Sequence, residues 1–422
     1  TGGSTWENAQ PMLGDTEAGT VALAHNGNLI NSAELREKLE EIHGELGNTF
    51  GELRRGNTTD TALVTALLGA QFDTSLEKTA LALLPHLRGA FCFVFMDENT
   101  LYAARDPQGI RPLVIGRLER GWVVASETAA LDIVGASYVR EVAPGEMIAI
   151  DADGLRSTTF AEPEPKGCVF EYVYLARPDT TIAGRAVHEA RVEMGRVLAR
   201  EHPVEADLVI PTPESGTPAA IGYAQESGIP FGQGMVKNAY VGRTFIQPSQ
   251  TIRQLGIRLK LNPLGHVIKG KRLVVVDDSI VRGNTQRALI RMLREAGAAE
   301  IHVRIASSPV RWPCFYGIDF ASPAELIANG MESEEHMVEG VRQAIGADSL
   351  GYISIDEMIA ATDQPASSLC AACFDGNYPI ELPKETSMGK AVLEQMLASA
   401  AGDGRVDPLT VPNDNASAVL RP

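Results

Sequence analysis

Residues 274–285, with the sequence VVVDDSIVRGNT, constrain the fold of this chain more than any other segment. The run of valines predicts a buried strand, and two adjacent carboxylates, Asp277 and Asp278, follow at its carboxyl end. A polar loop containing Gly283 then leads into a segment with helical periodicity. Backbone N–H groups in such a loop, at the positive end of a helix, form an anion site. The segment therefore predicts a parallel α/β sheet with a ligand site at a strand's carboxyl end.

The polar side chains of this segment suit a phosphorylated sugar. Ser279 and Thr285 offer hydroxyl donors to a phosphate, and the two aspartates can hold ribose hydroxyls or a divalent cation, which prefers oxygen ligands. The alternative is a simple helix N-cap turn, as a lone Asp-Asp-Ser would suggest. The strand, the carboxylate pair and the phosphate-type loop in succession argue against that alternative.

Two different organisations follow one another along the chain. The first 150 residues favour an α+β arrangement, in which a strand over 20–23 ends in a polar turn at 25–28 and Asp60 caps a helix. From about residue 185, helices alternate with short apolar strands, which favours a parallel sheet. Further strands are predicted over 90–96, 101–104, 122–125, 147–150, 208–210, 273–276 and 303–306, helices over 185–201, 216–227 and 286–296, and a linker over 162–165.

Composition excludes several classes of protein. The 37 basic and 54 acidic residues give a net charge of −17, which argues against binding to nucleic acid or to an anionic membrane surface. No apolar run approaches the ~18 residues that span a bilayer. Five cysteines in 422 residues are too few for a disulfide scaffold, so we expect a cytoplasmic protein.

Four motifs together resemble a known family. Residues 274–285 resemble the signature of the type I phosphoribosyltransferases, which bind 5-phosphoribosyl 1-pyrophosphate (PRPP). Residues 236–250 resemble the flexible loop of one branch, the glutamine PRPP amidotransferases; residues 213–217 resemble its pyrophosphate loop, and residues 25–28 its glutaminase half. The match is collinear over most of residues 1–380.

The resemblance implies an α+β N-terminal-nucleophile (Ntn) glutaminase sandwich, truncated at its N-terminus, followed by an α/β type I phosphoribosyltransferase domain. The implied bounds are 1–165 for the glutaminase domain, 166–385 for the phosphoribosyltransferase domain with iron–sulfur ligands, and 386–422 for a C-terminal helix and disordered tail. The implied reaction makes 5-phosphoribosylamine from PRPP and glutamine-derived ammonia, releases pyrophosphate and glutamate, and begins purine synthesis. An internal ammonia path, a homotetramer and feedback inhibition by purine nucleotides are implied by the resemblance alone.

The resemblance also assigns the PRPP site. Asp277 and Asp278 would hold the ribose diol and Mg²⁺, with Ser215 as a further magnesium residue. Lys237 and Arg243 would close over the pyrophosphate, although spacing alone is equally compatible with solvated surface cations. The implied PRPP-binding residues are Asp277, Asp278, Ser279, Ile280, Val281, Arg282, Gly283, Asn284, Thr285, Lys237 and Arg243.

In the glutaminase half, the Asn26 side chain and the Gly27 N–H would form the oxyanion hole, and Asp60 would recognise the α-amino group of glutamine. On local sequence, Asn26-Gly27 could instead be a type I′ turn and Asp60 a helix cap. The family's nucleophilic Cys is absent. Cys92 lies in an apolar run and is predicted to be buried.

The match places Thr1 after the segment that carries the nucleophile, so Thr1 is not expected to replace it. Two alternatives stay open: a truncated sequence, or a domain that has lost glutamine hydrolysis. In either case the expected activity of the chain is ammonia-dependent synthesis.

The other four cysteines suggest a metal centre. Cys370 and Cys373 form a CxxC pair, which alone could be a zinc half-site, a redox dithiol or a chance spacing. Some relatives carry a further Cys where this chain has Ser367, which leaves four thiols available. The resemblance implies a [4Fe–4S] cluster, with zinc as the alternative, on Cys168, Cys314, Cys370 and Cys373.

Two other functions are compatible with part of the pattern. A phosphoribosyltransferase acting on a free base would use residues 274–285 but has no use for residues 25–28 or the four cysteines. A PRPP-sensing regulator would keep the loop without catalysis.

Overall fold

An antiparallel sheet forms the centre of the N-terminal half. This computed structural model describes residues 6–16, 19–46, 59–70, 75–238, 260–318, 323–331 and 333–383. Among these, the spatial order of the large sheet is β1-β2-β3-β4-β8-β9, and β6-β5-β7 form a second sheet. The strands are β1 (Met12–Thr16), β2 (Gly19–Leu29), β3 (Gly89–Met96), β4 (Leu101–Arg105), β5 (Val114–Arg117), β6 (Trp122–Ala125), β7 (Ser137–Glu141), β8 (Glu146–Asp151) and β9 (Gly154–Thr159).

The alternation of side chains along β3 explains how this half packs. Phe91, Phe93 and Phe95 point to one face, where they join a core formed with the helices, whereas Cys92 points to the opposite face and packs with Ile115 of the second sheet. The large sheet is therefore covered on both faces. The helices of this half are α1 (Ser32–Leu46), α2 (Asp60–Gly69), α3 (Leu76–Leu83) and α4 (Thr128–Val134).

A parallel sheet forms the centre of the C-terminal half, as the alternation of elements predicts. Its described strands lie in the order β13-β16-β17-β18, all parallel. Val274 and Val276 of β16 face one core and Leu273 and Val275 the other, so helices cover both faces. The elements are β10 (Gly167–Cys168), β11 (Thr181–Ile182), β12 (Arg185–Ala186), α5 (Val187–Glu201), β13 (Leu208–Pro211), α6 (Thr217–Ser227), β14 (Met235–Lys237), β15 (Leu261–Pro263), α7 (Gly265–Ile268), β16 (Arg272–Asp277), α8 (Asn284–Glu295), β17 (Glu300–Ile305), α9 (Glu334–Ile345), β18 (Ser349–Tyr352), α10 (Ile355–Ala360), β19 (Leu369–Cys370) and α11 (Ala372–Asp375).

The predicted turn at residues 25–28 is wrong. These residues lie inside β2 and pair with β3, with Asn26 opposite Cys92 and Gly27 opposite Phe91. The turn propensity of Asn-Gly is local, and the pairing of a long strand in a buried sheet overrides it. The strand therefore presents Asn26 and Gly27 from within a fixed sheet.

The two halves contact each other closely. The predicted linker is fixed, because the N–H groups of Glu164 and Lys166 donate to the carbonyls of Pro107 and Gln108 at 2.8 and 2.6 Å. At the other side of the junction, Asn28 Nδ2 donates to the Phe315 carbonyl at 3.0 Å. Strand β2 of the N-terminal half thus touches the segment that follows Cys314.

Some predictions lie outside the described residues: Arg243, most of the loop at 236–250, and the C-terminal segment 386–422. Among the helices that are described, none combines the length and the hydrophobicity needed to cross a membrane.

Candidate functional site

The two carboxylates predicted as a ligand site stand at the carboxyl edge of the parallel sheet. Asp277 is the last residue of β16, and it and Asp278 are 5% and 7% exposed. Asp277 Oδ1 accepts the Asp278 N–H at 2.9 Å, and its Oδ2 accepts an N–H from the Gln286 amide. Ser279 Oγ donates to Asp278 Oδ1 at 2.5 Å. Serine, carboxylates and amide therefore form one connected polar group.

Burial dominates the electrostatics of Asp277. Desolvation, and then the neighbouring charge of Asp278, raise the pKa of Asp277 well above its usual range. Among the described residues, no cation beside Asp277 offsets these two effects on its pKa. A divalent cation or a set of hydroxyl donors at this edge would reverse that imbalance.

The loop after Asp278 leaves the N-terminus of α8 open. Gly283 occupies the N-cap position with φ +72°, a left-handed conformation that favours glycine, and no side chain caps the helix. The first N–H groups of α8 are therefore available to an anion. Asn284 and Thr285 are exposed, while the Ile280 side chain is 2% exposed, so Ile280 can offer only its backbone to a ligand.

The predicted pyrophosphate loop lies directly against this edge. The Thr212 N–H donates to the Val276 carbonyl at 2.8 Å. A Cβ atom at Gly216 would lie 2.4 Å from that carbonyl oxygen and 3.1 Å from Asp277 Cα, so only glycine allows this approach. Ser215, the predicted magnesium residue, precedes Gly216 and is half-buried.

Of the two predicted cations of the long loop, Lys237 is described. It ends β14, and its Nζ lies 3.1 Å from Glu214 Oε2 in the pyrophosphate loop. Its side chain is 33% exposed and that of Glu214 78%, so this ion pair contributes little stability. Arg282 is likewise at the surface, with its Nε 3.5 Å from Glu325 Oε1. Lys237 therefore lies beside the predicted pyrophosphate loop, residues 213–217.

In the N-terminal half, Gly27 is fixed by a close contact. A Cβ atom there would lie 2.1 Å from the Ala90 carbonyl oxygen, and its φ of +151° also favours glycine. Gly317 of the other half packs on the same backbone, with a hypothetical Cβ 2.9 Å from Gly27 Cα. Asn26 Nδ2 donates to Ser126 Oγ at 3.3 Å.

Arg111 is a residue of this site that the sequence did not indicate. Its Nη2 donates to Asn26 Oδ1 at 3.4 Å, and its Nη1 lies 3.0 Å from Glu171 Oε1 in a buried ion pair. Arginine only donates hydrogen bonds, so the Asn26 amide must turn its oxygen to Arg111 and its NH₂ away. This is the orientation that an oxyanion donor needs. No local motif marks Arg111, because its partners are far apart in the chain.

Asp60 lies at the C-terminal end of β2, the strand that carries Asn26 and Gly27. It is the first residue of α2, and Thr59 caps the helix by accepting the Ala62 N–H at 3.0 Å, so the predicted capping role of Asp60 is wrong. Its carboxylate accepts the Leu29 and Thr61 N–H groups, each at 2.9 Å. Although burial opposes the change, His25 at 3.5 Å and the Leu29 N–H hold the pKa of Asp60 well below its usual range.

Cys92 has no features of a nucleophile. As predicted, it is buried, and its thiol donates to the Arg111 carbonyl at 3.4 Å. Burial raises the pKa of Cys92 to about 12, so the reactive thiolate is scarce at neutral pH.

The four remaining cysteines, predicted as one ligand set, line a single cavity at the junction of the two halves. Parallel strands β10 and β19 pair Cys168 with Cys370, and the Tyr316 N–H donates to Cys314 Sγ at 3.3 Å. The thiol-bearing residues of the cavity are Cys168, Cys314, Cys370 and Cys373.

These thiols surround a space rather than a point. Within the described residues, no three Cys, His, Asp or Glu side chains are close enough together to hold one metal ion. Burial raises the pKa of Cys370 to about 12 and also raises the pKa of Cys373 well above its usual range.

Comparison with known proteins assigns a domain to each half of the chain. A glutamine amidotransferase domain matches residues 4–132, and a phosphoribosyl transferase domain matches residues 198–307. The chain is thus a phosphoribosyltransferase joined to a glutamine amidotransferase domain.

Similarity to whole proteins identifies the family. The chain is 71% identical over 403 residues to the amidophosphoribosyltransferase of Mycobacterium bovis, covering 95% of this chain and 76% of that protein. It is 45% identical to the amidophosphoribosyltransferase of Bacillus subtilis, covering 91% and 79%. A solved structure of the B. subtilis glutamine PRPP amidotransferase, complexed with ADP and GMP, matches with a TM-score of 0.81 and 44% identity, over 92% of this chain and 83% of that one. The chain belongs to the amidophosphoribosyltransferase family, the pentosyltransferases that catalyse the first step of purine biosynthesis.

Proposed function

We propose that the carboxyl edge around Asp277 and Asp278 is where this chain binds Mg²⁺ and PRPP. The observation that carries the proposal is the pair of buried carboxylates in front of a helix N-terminus without a side-chain cap. The sugar diol would contact the carboxylates, and the 5′-phosphate would accept N–H groups from the loop over 279–285.

The reaction at this site replaces a C–O bond by a C–N bond. Ammonia attacks the anomeric carbon of PRPP, pyrophosphate leaves with the electron pair of the broken bond, and the nitrogen loses a proton. A bound Mg²⁺, held by Asp277, Asp278 and Ser215, would supply charge neutralisation to the leaving group. Lys237, and Arg243 of the loop beyond, would add positive charge and exclude water.

The glutaminase half would position glutamine and the tetrahedral oxyanion formed from it. Asn26 Nδ2 and the Gly27 N–H are the proposed donors, and Asp60 is the proposed partner of the glutamine amino group. None of the five cysteines of this 422-residue sequence suits the role of nucleophile, because four line the junction cavity and Cys92 is buried. We therefore expect the chain as given to use ammonia, and we propose an internal path for ammonia between the two sites.

The experiment compares two nitrogen donors. The purified chain, with Mg²⁺ and PRPP, should form phosphoribosylamine with ammonium salt and none with glutamine; an Asp278→Asn variant serves as the inactive control. Two results would contradict the proposal: no product with ammonium, or turnover driven by glutamine. Exchange of PRPP with a free base, or PRPP binding without turnover, would favour the two alternative functions instead.

We propose that the four thiols at the junction hold a [4Fe–4S] cluster. Three buried cysteines and the half-buried Cys314 come from three separate segments, and a backbone N–H donates to the Cys314 sulfur, which suits such a cluster. A structural zinc ion, the alternative, would need all four sulfurs about 2.3 Å from one centre. The cluster would tie the segment ending at Cys373 to the junction, and it would be sensitive to oxygen.

Metal analysis separates the two alternatives. After anaerobic purification, the cluster requires about four iron and four inorganic sulfide per chain, whereas zinc requires about one metal ion and no sulfide. One zinc per chain, with neither iron nor sulfide, would refute the cluster.

Other properties extend the proposal. The B. subtilis structure contains ADP and GMP, which supports purine nucleotides as feedback inhibitors of this chain. We also propose a homotetramer in the cytoplasm. The proposed domains end at residues 165 and 385, and a C-terminal helix and tail follow. Inhibition by GMP together with ADP tests the feedback regulation, and the mass in solution tests the homotetramer.

A further inference from the structure

Gln286 is a buried polar residue that the reaction described so far does not use. It stands in the first turn of α8, 2% exposed, nine residues after Asp277. Its Nε2 donates to Asp277 Oδ2, and its Oε1 is buried without a hydrogen-bond partner among the described residues. A buried amide that satisfies only one of its two ends needs an explanation.

The position of Gln286 makes this contact informative. It is the third residue of the helix, where a Gln side chain ordinarily turns back to cap the helix N-terminus. Here it points inward to the carboxylate, and no side chain caps α8. This orientation of the Gln286 side chain leaves the helix N–H groups open for a phosphate and places a hydrogen-bond donor on the Asp277 carboxylate.

The two donors on Asp277 fix its orientation. Oδ1 accepts the Asp278 N–H and Oδ2 accepts Gln286 Nε2, one hydrogen bond to each oxygen. Without the Gln286 donor, the Asp278 N–H and the Thr212 hydroxyl would be the remaining donors to the carboxylate, and Oδ2 would lose its amide partner. The unused lone pairs would then no longer face the ligand edge in a defined direction.

We propose that Gln286 is a positioning residue for PRPP binding, which holds the Asp277 carboxylate in the orientation that receives Mg²⁺ and the ribose diol. This inference rests on the proposed PRPP site. It assigns to Gln286 a role in binding rather than in the bond-making step. Its loss should therefore raise the KM for PRPP and leave kcat nearly unchanged.

The main test is Gln286→Met, which keeps the length and volume of the side chain and removes the donor. The KM for PRPP in the ammonia-dependent assay should rise about tenfold to a hundredfold, the equivalent of one hydrogen bond to a charged group, with kcat within about threefold. Gln286→Asn, whose amide is one methylene too short, should not restore the KM. A role in packing alone predicts a normal KM for Met.

The chain offers a matched control in Gln343. This residue lies on the exposed side of α9, and its Nε2 also donates to a carboxylate, Glu339 Oε1, at 2.6 Å. Gln343→Met should leave both KM and kcat unchanged, which excludes a general effect of losing a Gln–carboxylate contact.

A double-mutant cycle tests whether Gln286 acts through Asp277. The Kd of Mg–PRPP, measured by calorimetry, should rise in Gln286→Met and in Asp277→Asn, but the double variant should bind no more weakly than Asp277→Asn alone. Additive losses, or a Met variant with normal KM and Kd, would overturn the proposal. An inactive parent chain that does not bind PRPP would instead refute the proposed function on which it rests.

Discussion

Two buried aspartates, one in each half of the molecule, are held in opposite ways. Asp60 has two backbone N–H donors and a histidine beside it, and its pKa lies well below the usual range. Asp277 is equally buried, but its neighbour is another carboxylate, and its pKa is raised. The protein itself satisfies the charge of Asp60, whereas at Asp277 it leaves the charge to be balanced by a ligand.

The difference concerns the free protein, before glutamine reaches Asp60 or PRPP reaches Asp277. A carboxylate that is already satisfied stabilises its surroundings, and a carboxylate that is unfavourable until a cation arrives stores part of the binding free energy. The comparison predicts that neutralising the two aspartates will change stability in opposite directions.

The largest expected effect is on activity at Asp277. Asp277→Asn should lower ammonia-dependent synthesis about a hundredfold or more, because the site loses a ligand charge. The same variant should raise the melting temperature by about 2–4 °C at pH 7, the shift that roughly 1 kcal/mol produces, since a buried repulsion is removed. The Gln286 amide can turn its unused oxygen to the new NH₂. A lower melting temperature would break the comparison.

Glycines in the two halves give the next effect. Gly27→Ala should cost about 3 kcal/mol or more of folding free energy, because its Cβ would meet the Ala90 carbonyl at 2.1 Å in a strained conformation. Gly216→Ala should displace the pyrophosphate loop. Its main effect should be a higher KM for PRPP, with a smaller loss of folding free energy than in Gly27→Ala. Thermal unfolding and steady-state kinetics on both variants check this, and Gly121→Ala, with open space around its Cβ, tests the cost of a positive φ alone.

Asp60→Asn should destabilise the chain by about 2–3 kcal/mol at pH 7, because one of its two N–H donors then faces an NH₂ group. Ammonia-dependent activity at the other site should remain. A variant as stable as the parent would show that the Asp60 charge is not satisfied by its neighbours.

The pH dependence of stability should follow the same division. The folded pKa of Asp60 lies below its ordinary value of 3.8, so its stabilisation is present above about pH 4 and is lost as the pH falls further. The folded pKa of Asp277 lies above 3.8, so its contribution is complete below about pH 4 and is lost as the pH rises. Urea unfolding from pH 4 to pH 8 should show a shallower fall in stability for Asp277→Asn than for the parent.

The smallest effect is expected at Lys237. Because its ion pair with Glu214 is exposed, Lys237→Met should leave the melting temperature within about 1 °C. The KM for PRPP should rise by about threefold to tenfold if the ammonium group contacts pyrophosphate. An unchanged KM would show that Lys237 is a solvated surface cation without a role in PRPP binding.

The sequence was sufficient where the signal is local and insufficient where it depends on packing. The strand ending at Asp277 and the open loop after it follow from consecutive residues. Asn26-Gly27 was misread as a turn, because strand pairing outweighs the preference of a dipeptide. Arg111 could not be found, since Asn26 and Glu171 meet it only after folding. For Gln286, the sequence indicates a position in the first turn of a helix, but it does not indicate that the side chain points inward to Asp277.

The most direct test of the central claim is the thermal shift produced by Mg–PRPP. At saturating ligand, the melting temperature of the parent chain and of Asp60→Asn should each rise by several degrees, as binding to the folded state requires. Asp277→Asn, although more stable than the parent without ligand, should show little or no rise. An equal rise in Asp277→Asn would contradict the claim that this carboxylate awaits the ligand.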